Sequence, residues 1–321
     1  PPAAGFHGRC RCGDGRRIAA GASGRRQRER PAPGSLKEPD GRRPDHGMSE
    51  GRLPDFVMLG AMRAGSTSLY RYIDAHPDVF VAPKELQYFT DGFDRGLDWY
   101  RDQFSDVGGA RILGEATADY FARESAMRRI AEILPDAKLV VSLRNPVDRA
   151  YSHYGLLAAR GREPRSFAAA IDDELREVNR HGDRADGVIY LSHSMYDVHL
   201  ERIDRLFAPD QLFVSIFERM VARPEDGFAE LCRFLGVDDA VVPDNLGRRV
   251  NPYVTFRSLR VRDLSRSLPS PLGRLVARLN TNRDTRPDPA DPRVVERLVE
   301  FFAPRITAVE QRLAVALPEW R

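Results

Sequence analysis

Residues 56–70 read FVMLGAMRAGSTSLY, and this stretch decides the fold. Its apolar start predicts a short buried strand, and a loop bounded by Gly60 and Gly65 follows. The hydroxyl residues at 66–68 then open a helix. A strand, a tight loop and a helix in this order direct several backbone N–H groups and the helix N-terminus to one point. The stretch therefore predicts an anion-binding site.

The position of its cation separates this loop from a nucleoside-triphosphate P-loop. The sequence reads Gly-x-x-x-x-Gly-Ser-Thr, whereas the P-loop reads Gly-x-x-x-x-Gly-Lys-Ser/Thr. Ser66 replaces the lysine that reaches the β- and γ-phosphates, and Arg63 supplies a cation inside the loop instead. This displacement argues against ordinary ATP or GTP hydrolysis. A glycine turn with an exposed arginine is the purely structural alternative.

A second motif lies at residues 140–154, which read VVSLRNPVDRAYSHY. A buried strand ends at Arg144, Pro146 suits the first turn of a helix, and Ser152 lies two turns into that helix. An arginine fork at the end of a strand, together with a helical hydroxyl, can hold an anionic group from two sides. ATP does not need a second phosphate site of this kind. The alternative is a local ion pair at Arg144 and a surface hydroxyl at Ser152.

Strands and helices alternate from about residue 55 onward. This pattern predicts an α/β protein with a three-layer P-loop-like fold: a central, mostly parallel sheet flanked by helices, and a helical C-terminal extension. Ser194 is expected to cap a helix that runs to Phe207, and a strand is expected at 212–217. Helices are expected at 256–279 and 292–316. Residues 48–321 are predicted to form a single domain.

The N-terminal 47 residues differ in composition from the rest. They are rich in Gly, Pro, Ala and Arg, lack apolar periodicity and carry a net charge of +6, so they are predicted to be a disordered basic tail. Met48 is a candidate start, which would make the tail non-native; a real arm that binds anionic partners is the alternative. The whole chain is +3, so residues 48–321 carry −3 by difference. A mildly acidic body argues against nucleic-acid binding.

Cysteine and hydropathy patterns set the expected compartment. Cys10 and Cys12 lie in the tail, and Cys232 is the one cysteine of the body, so neither an internal disulfide nor a cysteine metal site is predicted there. No run approaches the roughly 18 apolar residues of a membrane span, and no signal peptide is recognisable. A cytoplasmic protein without a metal cofactor or a membrane span is therefore expected. The sequence does not indicate an oligomeric state.

Together the two motifs resemble those of the carbohydrate-type (heparan-sulfate-like) sulfotransferases, and more closely those of their bacterial sulfotransferase-domain relatives. The likeness runs from Asp55 to Trp320. It includes the shorter motifs HP at 76–77, KELQYF at 84–89, GLDWY at 96–100, GE at 114–115 and LPEW at 317–320. It implies transfer of a sulfuryl group from 3′-phosphoadenosine 5′-phosphosulfate (PAPS) to a hydroxyl or amine of a carbohydrate, lipid or small metabolite.

The resemblance also implies which residues bind the donor. Those that would hold the 5′-phosphosulfate are Arg63, Ala64, Gly65, Ser66, Thr67 and Ser68. Arg144 and Ser152 would hold the 3′-phosphate, and Tyr196 matches an aromatic residue near the adenine. Arg248 and Arg249 stand where the family closes a basic loop over the 3′-phosphate, although the expected Lys-Gly reading is absent.

Catalytic roles follow from the same resemblance. Glu85 matches the general base, which must take the acceptor's proton during attack on sulfur. Arg63 and Lys84 would stabilise charge, and Lys84 could also contact the acceptor. Glu115 is either an acceptor contact or an ordinary structural carboxylate.

Alternatives to these assignments remain open, two for the base and two for the function. His153 and His193 are the alternative bases. The alternative functions are a P-loop kinase that uses ATP and a degenerate, non-catalytic nucleotide-binding protein.

Overall fold

Five parallel strands form the centre of the computed structural model. They are β1 (Phe56–Gly60), β2 (Val79–Val81), β3 (Ile112–Ala116), β4 (Lys138–Leu143) and β5 (Leu212–Ile216). Their order in the sheet is β2-β3-β1-β4-β5, and every neighbouring pair is parallel. The predicted central parallel sheet is confirmed.

Helices cover this sheet on both faces. They are α1 (Ser66–Asp74), α2 (Gly96–Asp102), α3 (Glu124–Ile133), α4 (Pro146–Ala159), α5 (Phe167–His181), α6 (Tyr196–Leu206), α7 (Phe217–Ala222), α8 (Pro224–Leu235) and α9 (Pro292–Leu313). Two short strands, β6 (Val254–Phe256) and β7 (Thr281–Arg283), pair with each other in antiparallel fashion.

The structure describes residues 51–182, 188–248, 254–256, 261, 271–272, 276, 281–283 and 290–321. The predicted tail at 1–47 and most of the predicted helix at 256–279 lie outside these ranges. In the described ranges, no helix is both long and apolar enough to cross a membrane.

Side chains alternate along each strand, and this alternation produces two cores. In β1, Phe56 and Met58 pack with residues of α1 and α8 on one face of the sheet. Val57 and Leu59 point to the other face, where α3, α4, α6 and α9 contribute to a larger core. The sheet is buried on both sides, as expected for parallel strands covered by helices.

Two predicted boundaries were wrong because tertiary contacts override local signals. Ser194 does not cap α6, which begins at Tyr196; its hydroxyl instead donates to the carbonyl oxygen of Pro146 and accepts from Arg149. Phe217 does not end a strand but begins α7, a helix that the sequence pattern did not reveal.

The C-terminus packs back onto the main body. The apolar face of α9 is buried, and beyond it Trp320 is 2% exposed. The indole N–H of Trp320 donates to Glu218 Oε2 at 3.0 Å, and the other carboxylate oxygen of Glu218 accepts from the backbone N–H of Asn145 at 2.9 Å. The end of the chain is thereby tied to the residue that follows Arg144.

We expect Gly114→Ala to destabilise the fold through overpacking in β3. A Cβ at Gly114 would lie 2.1 Å from Cζ of the buried Phe56 ring, so the sheet or the ring must shift, at a cost of about 1–3 kcal/mol. Urea denaturation measures the loss. Gly109→Ala is the control, because a Cβ there has no atom within 4 Å. Equal unfolding midpoints for the two variants would contradict the packing argument.

Candidate active site

The sequence-predicted residues converge at the carboxyl ends of the parallel strands. Arg63 follows β1, Glu85 follows β2 and Arg144 follows β4. In the sheet, β2 and β3 lie on one side of β1, and β4 and β5 lie on the other. The strand order therefore reverses at β1, and the carboxyl ends of the strands there form the topological switch point. Open α/β sheets bind ligands at such a point.

The loop after β1 has the backbone that the glycine pattern predicts. Gly65 adopts a φ of 88°, and a Cβ there would lie 2.5 Å from the ring of Phe217. Glycine is required both by the left-handed backbone and by this close approach. Ser142, on β4, fixes the loop by donating its hydroxyl hydrogen to the carbonyl of Ala64 at 2.5 Å.

Helix α1 begins directly after this loop. Gly65 precedes it as the N-cap and has no side chain to cap the first turn. The first turn carries the predicted ligands Ser66, Thr67 and Ser68, of which Ser66 is buried. An N-terminus without a side-chain cap favours an anion.

Arg63 joins the two sequence motifs. It lies in the left-handed region with a φ of 70°, and its Nε donates to Ser152 Oγ at 3.1 Å. Ser152 lies on α4 and is 3% exposed. The structure therefore brings the cation of the first motif into contact with the hydroxyl of the second, across 89 positions of sequence.

Arg144 is held beside the loop but keeps an unsatisfied donor. Its guanidinium lies 5.1 Å from the centre of the Phe217 ring, and its Nη2 donates to Asp148 at 3.3 Å. Its Nε is buried, and in the described part of the chain no hydrogen-bond partner is present for it. Tyr196 fixes the backbone by donating its hydroxyl hydrogen to the carbonyl of Arg144 at 2.9 Å. A buried N–H without a partner is the feature that a bound anion would satisfy.

Arg149 lies at this candidate site, and the sequence pattern did not single it out. It is fully buried on α4, and its guanidinium donates to Ser194 Oγ and to the carbonyl of Tyr190, both at 2.5 Å. It also reaches the carbonyl of Met62, in the anion loop, at 3.5 Å. Burial lowers the pKa of Arg149 to about 10. Its only sequence signal was its place in the second motif, one turn before Ser152.

Glu85 and Lys84 lie after β2, at the same edge of the sheet. The two side chains form an ion pair, with Lys84 17% and Glu85 37% exposed. The carboxylate of Glu85 also accepts from the backbone N–H of Ala118 at 3.3 Å and from Gln87 Nε2 at 3.2 Å. Ala118 in turn crowds the start of the anion loop, because a Cβ on Gly60 would lie 2.4 Å from its carbonyl oxygen. The carboxylate is thus fixed close to the loop that carries Arg63.

Glu115 does not face the solvent, and its placement favours the structural alternative over an acceptor contact. It is fully buried, and its carboxylate accepts hydrogen bonds from the hydroxyls of Tyr100 and Tyr120, both at 2.5 Å, and of Thr117 at 3.1 Å. Burial raises the pKa of Glu115 to about 7, against the opposing effect of these three donors.

The two candidate histidine bases are buried. His153 is 5% exposed and His193 is 8% exposed. Burial, with a contribution from the nearby Arg149, lowers the pKa of His153 to about 2 and that of His193 to about 3. Both imidazoles are weak bases in this setting, which leaves Glu85 as the better candidate.

The remaining predicted donor residues are Tyr196, Arg248 and Arg249. Tyr196 is 2% exposed and packs between the rings of Phe121 and Trp320, so it acts on the backbone of Arg144 and offers little surface to an adenine. Arg248 is exposed, and Arg249 lies outside the described residues.

We found no metal site among the residues that the structure describes, in the sense of three or more His, Cys, Asp or Glu side chains placed to share an ion. Metal independence stays a prediction.

The fold and the loop define a P-loop-like α/β protein, and comparisons identify its family. A sequence model of the sulfotransferase family matches residues 109–240. Human heparan sulfate glucosamine 3-O-sulfotransferase 3B1 is 29% identical over 263 residues, which cover 80% of this chain and 63% of that protein. The mouse heparan sulfate glucosamine 3-O-sulfotransferase 6 is 30% identical over 258 residues, which cover 79% of this chain and 70% of that protein.

Two further comparisons agree. Human bifunctional heparan sulfate N-deacetylase/N-sulfotransferase 3 is 32% identical over 201 residues, 58% of this chain and 22% of that protein. The crystal structure of a sulfotransferase from Alicyclobacillus acidocaldarius superposes with a TM-score of 0.63 at 27% identity, covering 84% of this chain and 99% of that one.

The chain belongs to the sulfotransferase family, and the predicted resemblance to its carbohydrate type is confirmed. The family assignment gives no support to a kinase. The chain spans less than two thirds of the human 3-O-sulfotransferase 3B1 and 22% of the human bifunctional enzyme.

We expect the free energy of unfolding of the parent protein to fall, relative to that of the Glu115→Gln variant, as the pH rises from 5 to 8. The folded protein holds a proton on Glu115 up to a pKa of about 7, against 4.5 for the unfolded chain. Between these values the folded state binds more protons, so raising the pH lowers the free energy of unfolding, by about 3 kcal/mol at most.

Urea denaturation of both proteins across this pH range measures the difference. The glutamine variant serves as the reference because it keeps the shape of a neutral carboxyl and cannot titrate. Parallel stability curves for the two proteins would show that Glu115 titrates in its ordinary range.

Proposed function

We propose that this protein transfers a sulfuryl group from PAPS to a hydroxyl or amine of a carbohydrate acceptor. The observation that carries the proposal is the hydrogen bond from Arg63 to Ser152, because it joins a 5′-anion loop to a second anion site. A donor with anionic groups on both its 5′ and 3′ positions uses both sites, whereas ATP uses one.

The residues present fit such a donor. The uncapped N-terminus of α1 and Arg63 would hold the 5′-phosphosulfate, and Arg144, with its buried and unsatisfied Nε, would hold the 3′-phosphate together with Ser152. The close approach of Phe217 to Gly65 keeps the two sites at a fixed separation. PAPS supplies the activated sulfuryl group.

Glu85 is the proposed base. The acceptor's proton passes to its carboxylate while the acceptor oxygen or nitrogen bonds to sulfur and the bond from sulfur to the 5′-phosphate oxygen breaks. Arg63 and Lys84 stabilise the charge that develops on the transferred group and on the departing phosphate. Glu85 is the exposed carboxylate of the site, and the hydrogen bonds from Ala118 and Gln87 hold it in place.

The relatives support a carbohydrate acceptor, because those cited are named for heparan sulfate. The net charge of −3 on residues 48–321 disfavours a long sulfated polymer and favours a shorter or uncharged saccharide. The cytoplasmic setting stays a prediction.

We expect the protein to bind adenosine 3′,5′-bisphosphate more tightly than ADP with magnesium, and Arg144→Ala to remove most of that preference. Loss of a charge-assisted contact to the 3′-phosphate weakens binding by about tenfold or more. Isothermal calorimetry measures both ligands, and Arg128→Ala is the control, because Arg128 is 67% exposed and pairs with Glu124 on the surface. Tighter binding of ADP with magnesium would support a kinase, and failure to bind either ligand a non-catalytic protein.

We expect Glu85→Gln to retain affinity for adenosine 3′,5′-bisphosphate and to lose at least about a hundredfold in turnover, since an amide cannot take the acceptor's proton. Release of the bisphosphate from PAPS, assayed with a panel of neutral and sulfated glucosamine-containing oligosaccharides, measures turnover and ranks the acceptors. Glu132→Gln, at an exposed position of α3, is the control. Normal turnover in Glu85→Gln would transfer the role of base to His153 or His193.

A further inference from the structure

The backbone that carries Glu85 is strained. Glu85 has a φ of 66° and Gln87 a φ of 57°, so two residues with side chains occupy the left-handed region within one short turn, residues 85–90. Such conformations cost on the order of 1 kcal/mol or more each and persist only where surrounding contacts impose them. The turn must therefore be held from outside.

Three backbone N–H groups of this turn donate hydrogen bonds to the end of β3 and to the segment that follows it. The N–H of Glu85 donates to the carbonyl of Ala116 at 2.8 Å, which is an ordinary backbone bond. The other two acceptors are side-chain hydroxyls. Gln87 N–H donates to Thr117 Oγ1 at 3.3 Å, and Phe89 N–H donates to Tyr120 Oη at 3.1 Å.

A hydroxyl accepts reliably only when its own hydrogen is engaged elsewhere. Each hydroxyl carries one hydrogen and can otherwise rotate to donate. Both Thr117 and Tyr120 give that hydrogen to the same oxygen, Oε1 of Glu115, at 3.1 and 2.5 Å. The carboxylate therefore leaves the lone pairs of both hydroxyls available to the N–H groups of the turn.

We propose that Glu115 is a positioning residue for the catalytic base. It orients the hydroxyls of Thr117 and Tyr120 as acceptors, and these fix the strained turn on which Glu85 stands. The inference rests on the proposed role of Glu85.

A third donor to Glu115 provides a matched control. Tyr100 gives its hydroxyl hydrogen to Oε2 of Glu115 at 2.5 Å, the same distance as Tyr120, and both rings are fully buried. The Tyr100 hydroxyl bonds to the carboxylate, while the Tyr120 hydroxyl bonds to the carboxylate and also to the turn. Tyr100→Phe and Tyr120→Phe thus remove the same bond to Glu115, and only the second removes an anchor of the turn.

The first measurement is hydrogen exchange at the backbone amides of Gln87 and Phe89, made above the pKa of about 7 of Glu115, where its carboxylate is ionised and accepts from all three hydroxyls. We expect Glu115→Leu to speed exchange at both amides about tenfold, because leucine cannot accept from the hydroxyls of Thr117 and Tyr120, which then rotate and compete with the turn. Tyr120→Phe should speed exchange at Phe89, and Thr117→Val at Gln87. Tyr100→Phe should leave both amides protected.

The second measurement is turnover of PAPS with the best oligosaccharide of the panel, or with water as acceptor if no saccharide is used. We expect Glu115→Leu and Tyr120→Phe to lower kcat about tenfold while the Kd for adenosine 3′,5′-bisphosphate stays within twofold of the parent. Tyr100→Phe should keep kcat within twofold. In a Glu85→Gln background the Tyr120→Phe change should cost nothing more, since the two residues act through one group.

The outcomes separate this inference from the proposed function. Normal kcat and normal exchange in a folded Glu115→Leu protein would overturn the positioning role and leave the sulfotransferase proposal intact. Equal losses in Tyr100→Phe and Tyr120→Phe would show that Glu115 contributes only to stability. Full turnover in Glu85→Gln would overturn the proposed base, and the inference with it. If Glu115→Leu fails to fold, Thr117→Val decides, because it removes one anchor and keeps the buried carboxylate.

Discussion

The contact between the Phe217 ring and Gly65 sets the geometry on which the donor site depends. The ring occupies the space of a missing Cβ, so the anion loop approaches the start of α7 as closely as a glycine allows. The same ring lies under the guanidinium of Arg144. The Phe217 side chain therefore contacts both the loop that carries Arg63 and the guanidinium of Arg144. The hydrogen bond from Arg63 to Ser152 further restricts the position of Arg63.

Three arginines meet in this small region, and the protein tolerates their mutual repulsion. Arg149 is buried, and the repulsion from Arg144 and Arg63 adds to the effect of burial in lowering its pKa. Its hydrogen bonds go to neutral oxygens and a neutral imidazole, and the nearby carboxylate of Glu174 offsets part of its positive charge. Fixed cations in a site of low dielectric bind and stabilise anions without reorganising when the ligand arrives. The electrostatic field of the site is thus built into the fold before a donor enters.

The sequence predicted the parts of this arrangement that depend on local pattern. Continuous apolar runs in β1 and β4 and the glycine spacing of the loop carry their own signals, and these predicted the sheet and the anion site. The contacts of Ser194 with Arg149 and of Phe217 with Arg144 join distant positions, and so does that of Glu115 with Tyr100, 15 positions away; none of them carries a periodic signal. A carboxylate at the end of a strand has the same sequence pattern whether it faces the ligand edge or the core. In this protein Glu115 faces the core, where the hydroxyls of the fully buried Tyr100 and Tyr120 donate to its carboxylate.

Different elements hold the proposed donor cations and the proposed base. The elements β1, β4 and α4, in the middle of the sheet, position Arg63, Arg144 and Ser152. The turn of Glu85 is instead attached to the segment after β3 by hydrogen bonds to two hydroxyls. Among the described residues, the backbone N–H groups of Glu85, Gln87 and Phe89 donate to Ala116, Thr117 and Tyr120, which belong to β3 and the segment after it. The relatives are named for transfer to oxygen in some cases and to nitrogen in others. If the proposed donor site lies at the centre of the sheet and the proposed base at its margin, one fold can serve both kinds of acceptor by changing the margin.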